Sequence, residues 1–432
     1  MKSKRIKKNI LISGIGSLCL MASLMGCSKT GSEGKNEMKN LSGQYQKEKT
    51  KVKENVTEAF SMSYADFSVH LLKESREFSG KDAKNTMVSP LSVMTALEMT
   101  RTGADGETQK QMEQVLYGGL SGEEGRSGLL SFTEGLSNSE GASYIGANSI
   151  WFQSGTDGQE PKQEFLEKNS VDFRADIFSA PFDKSTVADI NDWVSEKTDG
   201  NIPEILDEIP KDAKMYLINA SSFDAEWWTE YNENDILEDE EFICADGTTK
   251  KVNLMAATEW EYICGDHETG FRKAYKDGYS FVALLPDEEI SIDDYVNQLD
   301  GTTFLKLVAD SQEEKVYTKL PAFESDTSLE LSDALEALGM PRAFDEDQAD
   351  FQGIFADEDE KTWIGRVLHR THIKVDARGT KAGAATVVEV ARETAVQEEP
   401  KEVYLTRPFV YAIVENETNL PVFVGVVEDI GE

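Results

Sequence analysis

Four histidines, His70, His267, His369 and His372, are the chain's whole supply of side chains that ordinarily titrate near neutral pH. No G-x-S-x-G elbow and no H-E-x-x-H string accompanies them, so neither a serine hydrolase nor a zinc hydrolase finds support. His369 and His372 stand three apart in T-W-I-G-R-V-L-H-R-T-H-I-K-V-D, a run of strand character. An odd spacing on a strand sends two side chains to opposite faces, which rules them out as a ligand pair. His369 alone reads as a buried, hydrogen-bonded histidine. An acidic run holds Asp345, Asp347, Asp350, Asp357 and Asp359 but lacks the glycine and terminal glutamate of a calcium loop, so it reads as solvated surface. Cys244 and Cys264 match no metal spacing and read as two buried thiols or one bridge. No metal and no cofactor is implied.

A different pattern stands out at Val375–Val390, V-D-A-R-G-T-K-A-G-A-A-T-V-V-E-V. Alternate residues from Thr380, namely Ala382, Ala384, Thr386, Val388 and Val390, are small or β-branched and uncharged. The residues between them, Lys381, Gly383, Ala385, Val387 and Glu389, carry the charges. Period-two alternation marks a half-buried strand, yet Gly and Ala are poor strand formers. The stretch reads either as a chain that can become a strand or as an Ala-rich helix. Gly379 permits a bend at its start.

The elements around it begin after a targeting segment. Residues 1–27 join a basic start (Lys2, Lys4, Arg5, Lys7, Lys8) to an apolar run from Ile10 to Met25, too short for a convincing membrane span. Its end, Leu24-Met25-Gly26-Cys27, resembles a bacterial lipoprotein cleavage box, which would make Cys27 the lipidated first residue of the mature chain; a plain secretory signal is the other reading. Residues 28–57 are polar and read as a tether. The formal charge of −36 becomes −41 once the five basic residues of the leader are gone, since no acid leaves with them. Such a surface argues against nucleic acid or an anionic membrane as partner. Residues 58–432 show no further linker and no repeat, and are expected to form one domain.

Helical periodicity runs from Thr57 to Glu74 and again over Leu91–Arg101, after a Ser89-Pro90 start and before a second cap-like Asp105. Ser89 and Ser92 read as helix caps, and Trp227 as a core or rim aromatic. A helix is expected over Ala188–Thr198. Strands are expected at Met215–Trp227, Glu241–Ala245, Lys251–Met255, Tyr279–Leu285 and Lys315–Leu320, and a helix over Leu329–Leu338. A solute-binding fold would need regular strand–helix alternation, which is absent.

Several of these stretches resemble serpin segments, in serpin order. They are N-T-M-V-S-P-L-S at Asn85–Ser92, N-D-W-V-S-E-K-T-D-G-N-I at Asn191–Ile202, M-Y-L-I-N-A-S-S-F-D-A-E-W at Met215–Trp227, L-P-A-F-E-S-D-T-S-L-E-L-S-D-A-L-E-A-L-G-M at Leu320–Met340, G-T-K-A-G-A-A-T at Gly379–Thr386, then R-P-F-V and L-P-V-F-V-G-V-V. The resemblance implies an α+β serpin fold, with a large central sheet, further sheets, surrounding helices and an exposed reactive loop. It implies a hinge at Gly379–Thr386 and a polar network of Ser89, Ser92, Asn219 and His369 under the sheet. It makes Trp227 the point where the loop first enters. The activity implied is suicide inhibition of a protease, serine-type or cysteine-type in target, by a chain that is monomeric and not an enzyme. By the usual hinge length the reactive bond is Glu393–Thr394. A hinge one residue shorter makes it Arg392–Glu393, which suits a trypsin-like enzyme, and Val390, Ala391 or Val396 would suit an elastase-like one. Two departures, Ala377 and Lys381 where inhibitory serpins usually carry Glu, leave a non-inhibitory surface lipoprotein as the alternative.

Overall fold

The computed structural model describes residues 38–45, 55–79, 85–139, 141–154, 161–210, 213–355, 361–380 and 401–430. Of two compact units, Met1–Lys35 and Asn36–Glu432, the second holds all of these. In chain order its strands are β1 Lys39–Asn40, β2 Asn85–Val88, β3 Ala142–Gln153, β4 Asp176–Ala180, β5 Met215–Glu226, β6 Ile236–Ile243, β7 Thr249–Glu259, β8 Tyr262–Cys264, β9 Glu268–Ala274, β10 Tyr279–Pro286, β11 Val316–Pro321, β12 Phe323–Glu330, β13 Arg366–Val375, β14 Gly379–Thr380, β15 Lys401–Tyr404, β16 Phe409–Glu415 and β17 Pro421–Val427. Its helices are α1 Glu58–Phe78, α2 Pro90–Arg101, α3 Gly106–Tyr117, α4 Gly122–Gly135, α5 Gln163–Asp172, α6 Lys184–Lys197, α7 Ile292–Gln298, α8 Gly301–Ala309 and α9 Ser332–Leu338.

Three sheets result. The central one runs β1-β4-β3-β5-β13-β12, with β14 added to β5; the second runs β2-β17-β16-β10-β9-β8, and the third β15-β11-β7-β6. This is the α+β arrangement that the resemblance implied. Every residue of α2 is buried, so the helix lies in the core rather than on it. Pro90 opens it, and the Ser89 side chain caps it by accepting from the Ser92 N–H. On the other face of the central sheet, Trp193 and Ile190 of α6 pack with Trp151, Phe178, Tyr216 and Ile218. β5 is therefore covered on both faces, which is why Met215–Phe223 is buried without alternation.

Some expectations are corrected. The helix expected from Leu329 begins at Ser332, because Phe323–Glu330 pairs antiparallel with Val375–Leu368 as a strand. Its exposed Asp326 and Ser328 alternate with buried Ser325 and Thr327, and sheet pairing overrides the helical spacing of its leucines. Asp105 precedes α3 without a side-chain cap bond. Cys244 and Cys264 are neither bridged nor both buried: Cys244 is inside and Cys264 is exposed. Within the stretch read as a tether, residues 38–45 lie at the sheet edge. Lys39 and Asn40 pair with Ser179 and Phe178, the Leu41 N–H donates to the Ile177 carbonyl (2.8 Å), and Ser42 Oγ accepts from the Ile177 N–H (3.2 Å).

Candidate functional site

The centre of the molecule is a seam between two parallel strands. β13 and β5 pair from Arg366↔Tyr216 to His372↔Ser222, with His369 opposite Asn219. Both side chains are fully buried. The Ser89 backbone N–H points at His369 Nε2 (3.0 Å). A backbone N–H can only donate, so Nε2 accepts and the imidazole proton sits on Nδ1, directed at Asn219 Oδ1. Asn219 then donates through Nδ2 to Ser92 Oγ (2.5 Å) and Asn148 Oδ1 (2.6 Å), and its amide is fully used. Ser89 Oγ donates its one proton to the Val422 carbonyl (2.9 Å) and accepts from the Tyr144 hydroxyl (3.2 Å). The network thus runs from α2 through β5 to β13, and the His369–Asn219 bond is its rung across the seam. Burial lowers the His369 pKa to about 3, keeping the ring neutral.

Above His372 the seam changes partners. Ile373, Lys374 and Val375 still pair with β12, but β5 now pairs with the returning chain, Glu226 with Gly379 and Ala225 with Thr380. A tight turn makes this return possible. Asp376 and Gly379 bridge across Ala377-Arg378, and Asp376 Oδ1 accepts from the Arg378 N–H (2.9 Å). Gly379 has φ +149°, and a Cβ there would lie 2.0 Å from the Ala225 carbonyl oxygen, so only glycine fits. Thr380 is 1% exposed, and its hydroxyl meets the Tyr275 hydroxyl at 2.9 Å. Gly379 and Thr380 therefore sit in the mouth of the seam, antiparallel to β5.

Trp227 holds this mouth. Its ring stacks on Tyr275 at 4.1 Å, nearly parallel. Its indole N–H donates to the Asp376 carbonyl (2.9 Å) and its backbone N–H to the Arg378 carbonyl (2.8 Å). Buried Lys273 lies over the Trp227 and Tyr231 rings (5.3 and 4.4 Å), with Nζ on Glu259 (2.7 Å) and the Thr229 carbonyl (3.1 Å).

The structure thus brings Ser89, Ser92, Asn219 and His369 into one network, and Trp227, Gly379 and Thr380 into another. Lys381, Ala382, Gly383, Ala384, Ala385, Thr386, Arg392, Glu393, Thr394 and Cys27 lie outside the described residues. Sequence reasoning missed Tyr144, Asn148, Lys273 and Tyr275. Asn148 alone left a signal, a polar residue inside an apolar strand, and it stands directly opposite Asn219.

Comparison with known proteins agrees with this geometry. The serpin (serine protease inhibitor) family matches residues 62–430. A serpin-like protein of Thermococcus kodakarensis is 29% identical, over 81% of this chain and 82% of its own. Serpin B8 of Bos taurus is 30% identical over 83% and 96%. The crystal structure of the thermophilic serpin Tengpin in its native state is similar with a TM-score of 0.84 and 40% identity, covering 91% of this chain and all of that one; the latent state of Tengpin gives 0.75. On the match across nearly the whole described domain, this chain belongs to the serpin family, generally inhibitors of proteases rather than enzymes.

Proposed function

We propose that the chain is a suicide-substrate inhibitor of serine proteases, acting as a monomer held outside the cell by a lipid on Cys27. The observation that carries this reading is the hinge turn, with Gly379 and Thr380 seated antiparallel against β5 where β13 leaves it. In this reading the protease nucleophile attacks the carbonyl carbon of a bond within Val390–Val396. The acyl-enzyme forms, and the new amino terminus leaves with β15. Thr380 already stands in line, so the next alternate residues, Ala382, Ala384 and Thr386, follow it inward as β13 and β5 part. The His369–Asn219 rung breaks once, and the small side chains offer little steric resistance. The attached protease travels with the loop, and its active site is distorted before water releases it. Likeness to a native rather than a latent serpin form supports an uninserted loop as the starting state.

A second reading, a non-inhibitory serpin serving as a surface binding lipoprotein, draws on Ala377 and Lys381. At 377 the anchoring contact is the backbone carbonyl, which accepts from the Tyr231 N–H (2.8 Å) and which any residue supplies. That weakens the argument from Ala377. Ala384→Arg, at a residue that in this reading enters the sheet only on insertion, separates the readings. A guanidinium carried into the sheet there costs several kcal/mol unpaired, and about 1.4 kcal/mol on the insertion barrier slows it tenfold. The parent should give a band stable to denaturation with its protease, with the cut mapped by mass spectrometry within Val390–Val396. The variant should be cut at the same bond and release active protease. Undiminished complex from the variant, or none from the parent, sinks the proposal.

A further inference from the structure

Trp228 and Trp260 are 73% and 59% exposed, the most exposed of the large apolar side chains among the described residues. They are far apart in sequence but are tied to one point. Lys273 Nζ binds the Thr229 carbonyl and the Glu259 carboxylate, the immediate neighbours of the two tryptophans. Trp228 is fixed further by its N–H on the Ala274 carbonyl (3.0 Å) and by fully buried Trp227 before it. Two large indoles are thus held in water on braced backbone, so little ordering is left to do when a partner covers them.

Strand register places them at the two anchors of the reactive loop. Gly379, where the loop departs, pairs with Glu226, two residues before Trp228. Lys401, where it returns, pairs with Val316, whose other partner is Glu259, one residue before Trp260. Whatever engages residues 381–400 must come to this pole. The surroundings are predominantly acidic: from Glu226 to Glu241 there are eight acidic and no basic residues, and Glu259 and Glu261 flank Trp260. Lys276, Lys319, Lys251, Lys273 and Arg272 pair with Glu226 and Glu230, Glu240, Glu241, Glu259 and Glu261, so these ten acids against five bases leave the surround net negative.

We propose that Trp228 and Trp260 form a docking surface for the body of the target protease, and that the protease it fits carries a basic rim around its cleft. This rests on the inhibitory reading for the partner's identity. Burial of exposed tryptophans is a common source of binding energy at such contacts, and the acidic surround steers a basic partner at low salt.

The test uses the mature chain and cationic and anionic trypsin, which share a cleft specificity, cut after Arg, and differ in surface charge. The rate of attack at Arg392 is followed for the parent, Trp228→Ala, Trp260→Ala and the double variant. A synthetic 381–400 peptide reports cleavage without the body. Cationic trypsin should attack the parent at least about tenfold faster than anionic trypsin at low salt, with the gap closing as salt rises. The double variant should lose about tenfold with cationic trypsin, at an unchanged unfolding temperature, while the peptide shows no preference beyond its own. Equal rates for parent and double variant with both enzymes overturn the docking surface. The partition between covalent complex and released trypsin is read on the same gels. If every cut releases active trypsin, the inhibitory reading fails while the rates still decide the docking surface. No cut in the loop overturns both.

Discussion

His369 can serve the seam only as a neutral ring. An imidazolium would turn Nε2 into a donor facing the Ser89 N–H, itself a donor, and would bury a charge with no carboxylate in the network. Burial sets its folded pKa near 3, against about 6.5 in an unfolded chain. Since the folded value lies below the unfolded one, the unfolded state binds more protons between them. The contribution of this site is complete above about pH 6.5 and is lost toward pH 3, at about 1.4 kcal/mol for each unit. The unfolding temperature of the parent should drop steeply from pH 6.5 to 4.5. In His369→Gln the same drop should be shallower, from a lower starting value. Equal slopes for the two proteins would remove His369 as the source.

At the scale of elements, the sequence was most readable where one local rule dominated. Ser89-Pro90 marked the start of α2, and the Gly379 bend lay where a Cβ would strike the Ala225 carbonyl. The reading failed where long-range pairing decided. Leu329 looked helical until its pairing with His369 is known, and nothing local in Ala274-Tyr275-Lys276 marks Tyr275 as the partner of Thr380. The edge strand β1 was likewise hidden, because two paired residues in a polar stretch leave no periodicity. Its hold is specific all the same: Asn40 Oδ1 accepts from the Ser42 N–H (2.9 Å), the Ser42 hydroxyl (3.0 Å) and the Gly43 N–H (2.9 Å). Asn40→Ala removes that turn at a cost of about 1–2 kcal/mol, confined to the edge. Amide exchange at Leu41 and Ile177 should quicken roughly tenfold or more, with the seam amides unchanged. Unchanged protection at Leu41 would mean that the turn does not hold the strand.

For the molecule as a whole, the inhibitory reading proposed above requires a fold that can become more stable than it is. β5 and β13 are paired to each other only up to Ser222↔His372, and among the described residues the returning chain adds to β5 at Gly379 and Thr380. The Ser221 and Ser222 hydroxyls are buried on β5 without partners among the described residues, a cost at the seam. A full inserted strand would replace one line of backbone hydrogen bonds by two. At about 0.5–1.5 kcal/mol net for each added bond, roughly ten of them amount to many times what the rung across the seam contributes. On that reading the native form is held by a barrier rather than by depth. Cutting the loop should therefore raise the unfolding temperature by roughly ten degrees or more. The seam itself can be made the control. Ser222 and His372 are register partners at its mouth, where paired strand residues lie within disulfide reach. Ser222→Cys with His372→Cys, in a Cys264→Ser background, should oxidise to a bond across β5 and β13. The oxidised protein should be cut at the same site as the parent, show no rise in unfolding temperature and form no covalent complex. Reductant should restore both. If the cut, oxidised protein gains stability as the parent does, the loop does not enter between β5 and β13, and the seam is not the route.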